Sequence, residues 1–146
     1  MKFTTKTRYG IRAMLEIAMH QESKGVFQKD IASNQSISVK YLDHIIAALK
    51  ANGLIVNQKG KKSGYTLSHP PGEITMLDIH RSFEPGIQIV DCLSDNFDCP
   101  KESICVVKSF WNGLNNQIVD YLRSTTLQDL LDKQTLLAED KKLKKA

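Results

Sequence analysis

The sequence has no run of about 18 apolar residues, the length a bilayer-spanning helix requires. Its opening, Met1-Lys2-Phe3-Thr4-Thr5, lacks the apolar core of a secretory leader. The expectation is a cytoplasmic protein with no membrane partner. Cysteine is scarce: three residues, Cys92, Cys99 and Cys105, in 146. In a reducing compartment so few argue against structural disulfides. They include no Cys-x-x-Cys pair, so the knuckles of a structural zinc site are missing. No histidine or acid is placed in sequence to complete a triad with a cysteine nucleophile, so an enzyme is not expected. At this length one core with a helical extension is feasible and two large domains are not.

The net charge of +4 conceals an asymmetry. Residues 1–62 carry 11 Lys or Arg against 4 Asp or Glu, a net of +7; residues 63–138 carry 5 against 10, a net of −5; residues 139–146 add +2. The basic half suits a polyanionic partner.

Within that half, residues 38–53 read as a complete helix. Ser38 supplies an N-cap, Asn52-Gly53 a left-handed stop, and Leu42, Ile45, Ile46 and Leu49 one buried stripe. The other face carries Lys40, Tyr41, Asp43, His44, Ala47 and Lys50, side chains suited to the major groove, although an ordinary amphipathic helix shares the stripe. Upstream, Thr4 or Thr5 caps a helix with Ile11, Met14, Leu15 and Ala18 inward and Lys6, Arg8 and Arg12 on or near its outward side, ending near His20. A polar turn at residues 21–25 leads to a short helix from Phe27 to Ser33, and Asn34-Gln35-Ser36 connects it to the capped helix. This is a helix-turn-helix pattern, with Ile31, Ala32 and Ile37 as packing contacts.

Downstream, residues 54–58 and 64–68 have strand character around the basic turn Lys59-Gly60-Lys61-Lys62-Ser63. A basic-tipped hairpin directly after a reading helix is a wing that reaches phosphate. His69-Pro70-Pro71-Gly72 breaks the chain; Thr75 then caps a short helix through Phe83, on whose polar face His80 is expected. From residue 87 to 102 periodicity fades, and Cys92 and Cys99 stand among Asp91, Asp95, Asp98 and Glu102, with Cys105 just beyond.

From Ser103 onward Ile104, Val107, Trp111, Leu114, Ile118 and Tyr121 or Leu122 recur at steps of three and four. Such a seam predicts a homodimer, with Val107, Trp111, Leu114, Ile118 and Leu122 at the interface. Phe110 and Val119 widen the stripe, so this helix also has surface for its own domain. Thr125 or Thr126 caps a further helix carrying Leu127, Leu130, Leu131, Leu136 and Leu137, and residues 139–146 are expected to fray as a basic, disordered tail.

Three thiols with an open fourth position suit a labile iron–sulfur cluster. Oxidant-reactive free thiols and plain packing remain alternatives.

Taken together, Met1-Lys2-Phe3-Thr4-Thr5-Lys6-Thr7-Arg8-Tyr9-Gly10, Ile37-Ser38-Val39-Lys40-Tyr41-Leu42, the Lys59 to Tyr65 wing and the three late cysteines resemble, in order and position, the Rrf-two family of bacterial winged-helix regulators. The likeness covers nearly the whole chain. The family includes an iron–sulfur cluster regulator, a nitric-oxide sensor and a cysteine-metabolism repressor. The resemblance implies a homodimer with crossed C-terminal helices on a palindromic operator, and in cluster-binding members three cysteines that hold an iron–sulfur cluster, here of the two-iron type. The cysteine spacing departs from the pattern: six residues and then five, where the family's iron–sulfur regulator has five and five. Lys108 stands where the family has a histidine ligand, and Arg8 where some nitric-oxide sensors have an acid. The fourth ligand is left to Asp98, Glu102, His80, a partner subunit or a small molecule.

The resulting expectation is a mainly α fold: a winged helix-turn-helix domain with a β-hairpin wing over residues 1–83, a cysteine-bearing sensor loop over 84–102 and long C-terminal dimerisation helices over 103–138. Lys40, Tyr41, Asp43 and His44 face bases, Lys6, Arg8, Lys59, Lys61 and Lys62 face phosphates, and Ser38 and Tyr65 complete the DNA-facing set. The function expected is transcriptional regulation through double-stranded DNA, repression included, controlled by cluster or redox state. The alternative is a cluster-free regulator governed by a thiol switch or a partner enzyme.

Overall fold

The computed structural model describes residues 2–21, 24–59 and 64–145. Three capped helices build the N-terminal half. Helix α1, Thr5–Ala18, starts where Thr4 accepts the Thr7 N–H at 3.3 Å, and it ends two residues before the expected His20. Its buried face holds Ala13, Met14, Ile17 and Ala18. Helix α2, Gln28–Gln35, closes on Ser36, whose φ of 53° is the left-handed turn that redirects the chain into α3. Helix α3, Val39–Ala51, is capped by Ser38 accepting the Tyr41 N–H at 3.1 Å and stops at Asn52 before Gly53, φ 72°. Ile31, Ala32 and Ile37 are buried with Leu42, Ile45, Ile46 and Leu49, so the helix-turn-helix packs as its stripes predict.

Strands β1, Ile55–Asn57, and β2, Tyr65–Leu67, pair antiparallel with Ile55 opposite Leu67 and Asn57 opposite Tyr65. Val26 adds a bridge that the sequence did not mark, exchanging hydrogen bonds of 3.0 and 2.9 Å with Tyr65. The close crossing needs glycine: a Cβ on Gly64 would lie 2.4 Å from the Val26 carbonyl carbon. The wing tip, including Lys61 and Lys62, lies outside the described residues.

Helix α4, Met76–Arg81, opens with a capping box between Thr75 and Asp78. His80 was expected on its polar face and is instead 1% exposed. Burial is tolerated because Nδ1 lies 3.3 Å from the Thr7 hydroxyl and Nε2 3.3 Å from the Gly86 carbonyl, while the ring meets Phe3 edge-on.

The connection that follows carries two short 3-10 turns, Asp91–Leu93 and Glu102–Ile104, and α5 begins at Val106, three residues later than expected, running to Ser124. Helix α6, Leu127–Lys145, continues through the segment expected to fray. Leu, Ala, Glu and Lys are strong helix formers, and Lys142, Lys144 and Lys145 complement the negative end of the helix dipole.

The core does not end at residue 83. Thr126 bridges Thr75, the Met76 N–H donates to Thr125 O at 2.9 Å, and Leu127 is buried completely among the residues of the winged domain. Among the described residues no helix is long and apolar enough to cross a membrane.

Candidate nucleic-acid interface and cysteine loop

The periodicity of α3 puts its four aliphatic residues inward and leaves Lys40, Asp43, His44, Ala47 and Lys50 exposed. Tyr41 is half-buried rather than free. Its ring meets Tyr9 of α1 edge-on at 5.6 Å between centroids, and the Arg12 guanidinium sits 5.5 Å over the Tyr9 ring. An anchored aromatic presents its hydroxyl at low entropic cost. Ser38 faces the same end of α3 but uses its hydroxyl as the cap. Lys6 and Arg8 are exposed on α1, and Arg8 also donates to Thr5 Oγ1 at 3.1 Å. Lys59 is exposed at the base of the wing, and the Lys50 ammonium lies 5.8 Å from the Tyr65 ring, joining reading helix to wing.

The sequence reading missed a polar clamp behind this surface. Glu16, 3% exposed, accepts from Asn34 Nδ2 at 2.7 Å and Gln35 Nε2 at 2.8 Å. Arg12 donates to Gln35 Oε1 at 3.1 Å and to the Gln35 carbonyl at 2.6 Å. Together these bonds fix α2 against α1 and hence the angle at which α3 is presented. Gln28 was also missed: its amide donates to Asp43 Oδ1 on the reading face. Amides and acids at these spacings carry no local periodic signal, because their partners sit on other elements.

The three cysteines are half-buried and unpaired. Cys105 caps α5, its Sγ accepting the Lys108 N–H at 3.3 Å. The Lys108 ammonium bonds Glu102, and that bond chiefly raises its pKa; Cys92 and Cys99 act on it in the same direction. Cys105 thus stands at the start of α5, and the loop cysteines Cys92 and Cys99 lie within electrostatic reach of Lys108 in its first turn. Three soft thiols on one short segment have the donor chemistry of an iron–sulfur site, and the residues fit it in that respect. Among the described residues no three His, Cys, Asp or Glu side chains are already grouped to hold a metal ion. His80 is engaged by Thr7 and Gly86, and Glu102 by Lys108, while Asp98 is exposed.

The expected seam on α5 divides into two faces. Trp111, Ile118 and Leu122 are half-buried, and Leu122 packs against the winged core. On that inner side Asn115 is buried and accepts the Ile89 N–H at 3.0 Å, holding the loop to the helix. Val107 and Leu114 lie on the open face with Phe110 and Tyr121, where Val107 is 61% and Phe110 63% exposed. A groove there is lined by Val106, Phe110, Gly113, Leu114 and Gln117.

A family model described as Rrf2, iron-dependent transcriptional regulator, matches residues 3–133. The chain is 37% identical over 131 residues to the protein rrf2 of Nitratidesulfovibrio vulgaris, spanning 90% of this chain and 87% of that one. Among solved structures it resembles CymR, the global cysteine regulator of B. subtilis, with a TM-score of 0.76 and 33% identity over 91% of this chain and 98% of that one. It also resembles IscR of T. potens, with a TM-score of 0.74 and 34% identity over 92% and 88% of the two chains. The reading helix, bridged wing and long C-terminal helices are thus those of a DNA-binding transcriptional regulator rather than an enzyme, and the chain belongs to the Rrf2 family.

Proposed function

We propose that the protein acts as a homodimer on an inverted-repeat operator and that its cysteine loop sets operator affinity. The observation that carries this reading is the division of α5: one face is fastened to the winged domain and the other is an uncovered apolar stripe from Val106 to Tyr121. A patch of this kind is stable in water when a second copy covers it. Two copies of α3 related by a two-fold axis then require half-sites about 10 base pairs apart, or a multiple. Lys40, Tyr41, Asp43 and His44 contact base edges, with Ser38 and Tyr65 beside them, and Lys6, Arg8, Lys59, Lys61 and Lys62 contact phosphate.

Cys92, Cys99 and Cys105 would hold the iron–sulfur cluster, of the two-iron type. A bound cluster supplies redox activity and oxidative lability. The protein's own part is mechanical. Cys105 caps α5, Asn115 ties the loop to that helix, and Leu122 and Leu127 tie the helices to the winged core, so rearranging the loop biases where α3 sits. A bias of about 1.4 kcal/mol between two dimer geometries changes affinity tenfold if one geometry binds.

The test is iron and sulfide content with the visible spectrum after anaerobic reconstitution of the parent and Cys99→Ala. The parent is expected to take up both stoichiometrically and the variant not; equal, substoichiometric iron in the two would sink the cluster assignment. Lys108→His is expected to slow bleaching in air relative to the parent.

A second reading, a cluster-free regulator controlled by thiol oxidation or a partner enzyme, is favoured by three unpaired thiols, two of which act on the Lys108 ammonium, and by the likeness to CymR. It predicts no visible absorbance and operator release on mild oxidation.

A further inference from the structure

We infer that Gln28 is a positioning residue for Asp43 and that the two together read an exocyclic amine, cytosine N4 or adenine N6, in the major groove. This rests on the placement of α3 in that groove proposed above. Gln28 is the first residue of α2, and its amide nitrogen reaches two acceptors on α3: Asp43 Oδ1 and, at 3.4 Å, the Val39 carbonyl. Both partners can only accept, so the orientation of the amide follows from chemistry: nitrogen inward, Oε1 away. Among the described residues Oε1 has no protein partner.

The result is a carboxylate held in place by an amide whose own carbonyl is left to accept, next to a face otherwise supplied with donors by Lys40 and His44. Base edges in the major groove offer hydrogen-bond donors only at cytosine N4 and adenine N6; guanine O6 and N7 and thymine O4 accept. An acceptor pair therefore favours the amines and repels the guanine edge. An aspartate working alone here would be pushed off by the phosphates on either side of the groove. Gln28 opposes that by donating to it from a helix whose angle to α3 is set by the buried Ile31, Ala32 and Ile37 and by the left-handed Ser36.

The experiment is selection of the full-length protein on randomised duplexes, comparing parent, Gln28→Ala, Gln28→Glu, Asp43→Ala and the double variant Gln28→Ala with Asp43→Ala. The parent is expected to select cytosine or adenine at one position of each half-site. Asp43→Ala should abolish that preference. Gln28→Ala should weaken it at the same position by about 3- to 10-fold, the size of one ordinary net hydrogen bond. Gln28→Glu, which replaces a donor by a second carboxylate, should weaken it further, and the double variant should be no worse than Asp43→Ala. Duplexes with purine for adenine or pyrimidin-2-one for cytosine then show which amine is read, since each lacks only that group. A merely structural role for Gln28 would lower affinity for all sequences and leave the preference intact. Gln28→Ala with parental preference at the Asp43-dependent position overturns the inference alone. If Asp43→Ala alters no position, the groove placement of α3 falls and the inference falls with it.

Discussion

The Leu127 N–H donates to the Ile74 carbonyl at 2.8 Å, which seats the first residue of α6 beside the strand-like segment that leads into α4. The contact joins parts of the chain 53 positions apart and makes the C-terminal helices part of the DNA-binding unit rather than an appendage. The cysteine loop, held to α5 by Asn115, is thereby attached to the same packed core as α3.

Leu127 is buried completely, so Leu127→Ala should cost about 2 to 5 kcal/mol of stability through lost transfer energy and the cavity left behind. Equilibrium urea denaturation measures it. Leu136→Ala, on the exposed part of α6, should change stability by less than about 0.5 kcal/mol. Equal effects would mean that α6 is not anchored at Leu127.

Phe110 and Leu114 lie on the uncovered face of α5. Replacing both by Glu should give a monomer in sedimentation at micromolar concentration and sharply reduced operator affinity, with the helical content retained. A double variant that still sediments as a dimer would place the subunit interface elsewhere.

Lys61→Ala with Lys62→Ala should weaken binding to all duplexes alike and reduce the slope of log affinity against log salt by about 1 to 2. Binding titrations across a salt series decide it. An unchanged slope would remove the wing from the phosphate-contacting set.

Glu84 is partly desolvated, which alone would raise its pKa, but hydrogen bonds from the Thr4 N–H and the Thr7 hydroxyl and the nearby His80 outweigh that and hold it below the ordinary 4.5. With a folded-state pKa below the unfolded one, the carboxylate contributes stability that is full above about pH 4.5 and is lost as pH falls through the lower, folded value. Glu84→Gln should therefore flatten the acid limb of a thermal-melt series below about pH 4.5 and leave its neutral part parallel to the parent's. An acid limb as steep as the parent's would assign the loss to other carboxylates.

Much of the fold was legible because its signals are local. Thr4, Ser38 and Thr75 cap backbone groups three residues away, and the α3 stripe is a property of 13 consecutive residues, so no knowledge of the rest of the chain is needed. That a basic surface suits a polyanionic partner follows equally from charge. What tertiary structure alone decided is which of several equivalent apolar or polar groups meets which partner. The three- and four-residue steps of α5 could not say that Trp111, Ile118 and Leu122 turn toward their own domain while Val107, Phe110 and Leu114 stay open, because one periodicity serves both faces. Nor could sequence show Val26 bridging Tyr65, His80 buried against Thr7, Glu16 clamped to Asn34 and Gln35, or Gln28 holding Asp43. Each of those contacts joins residues on different elements, and only the packing that brings the elements together makes it possible.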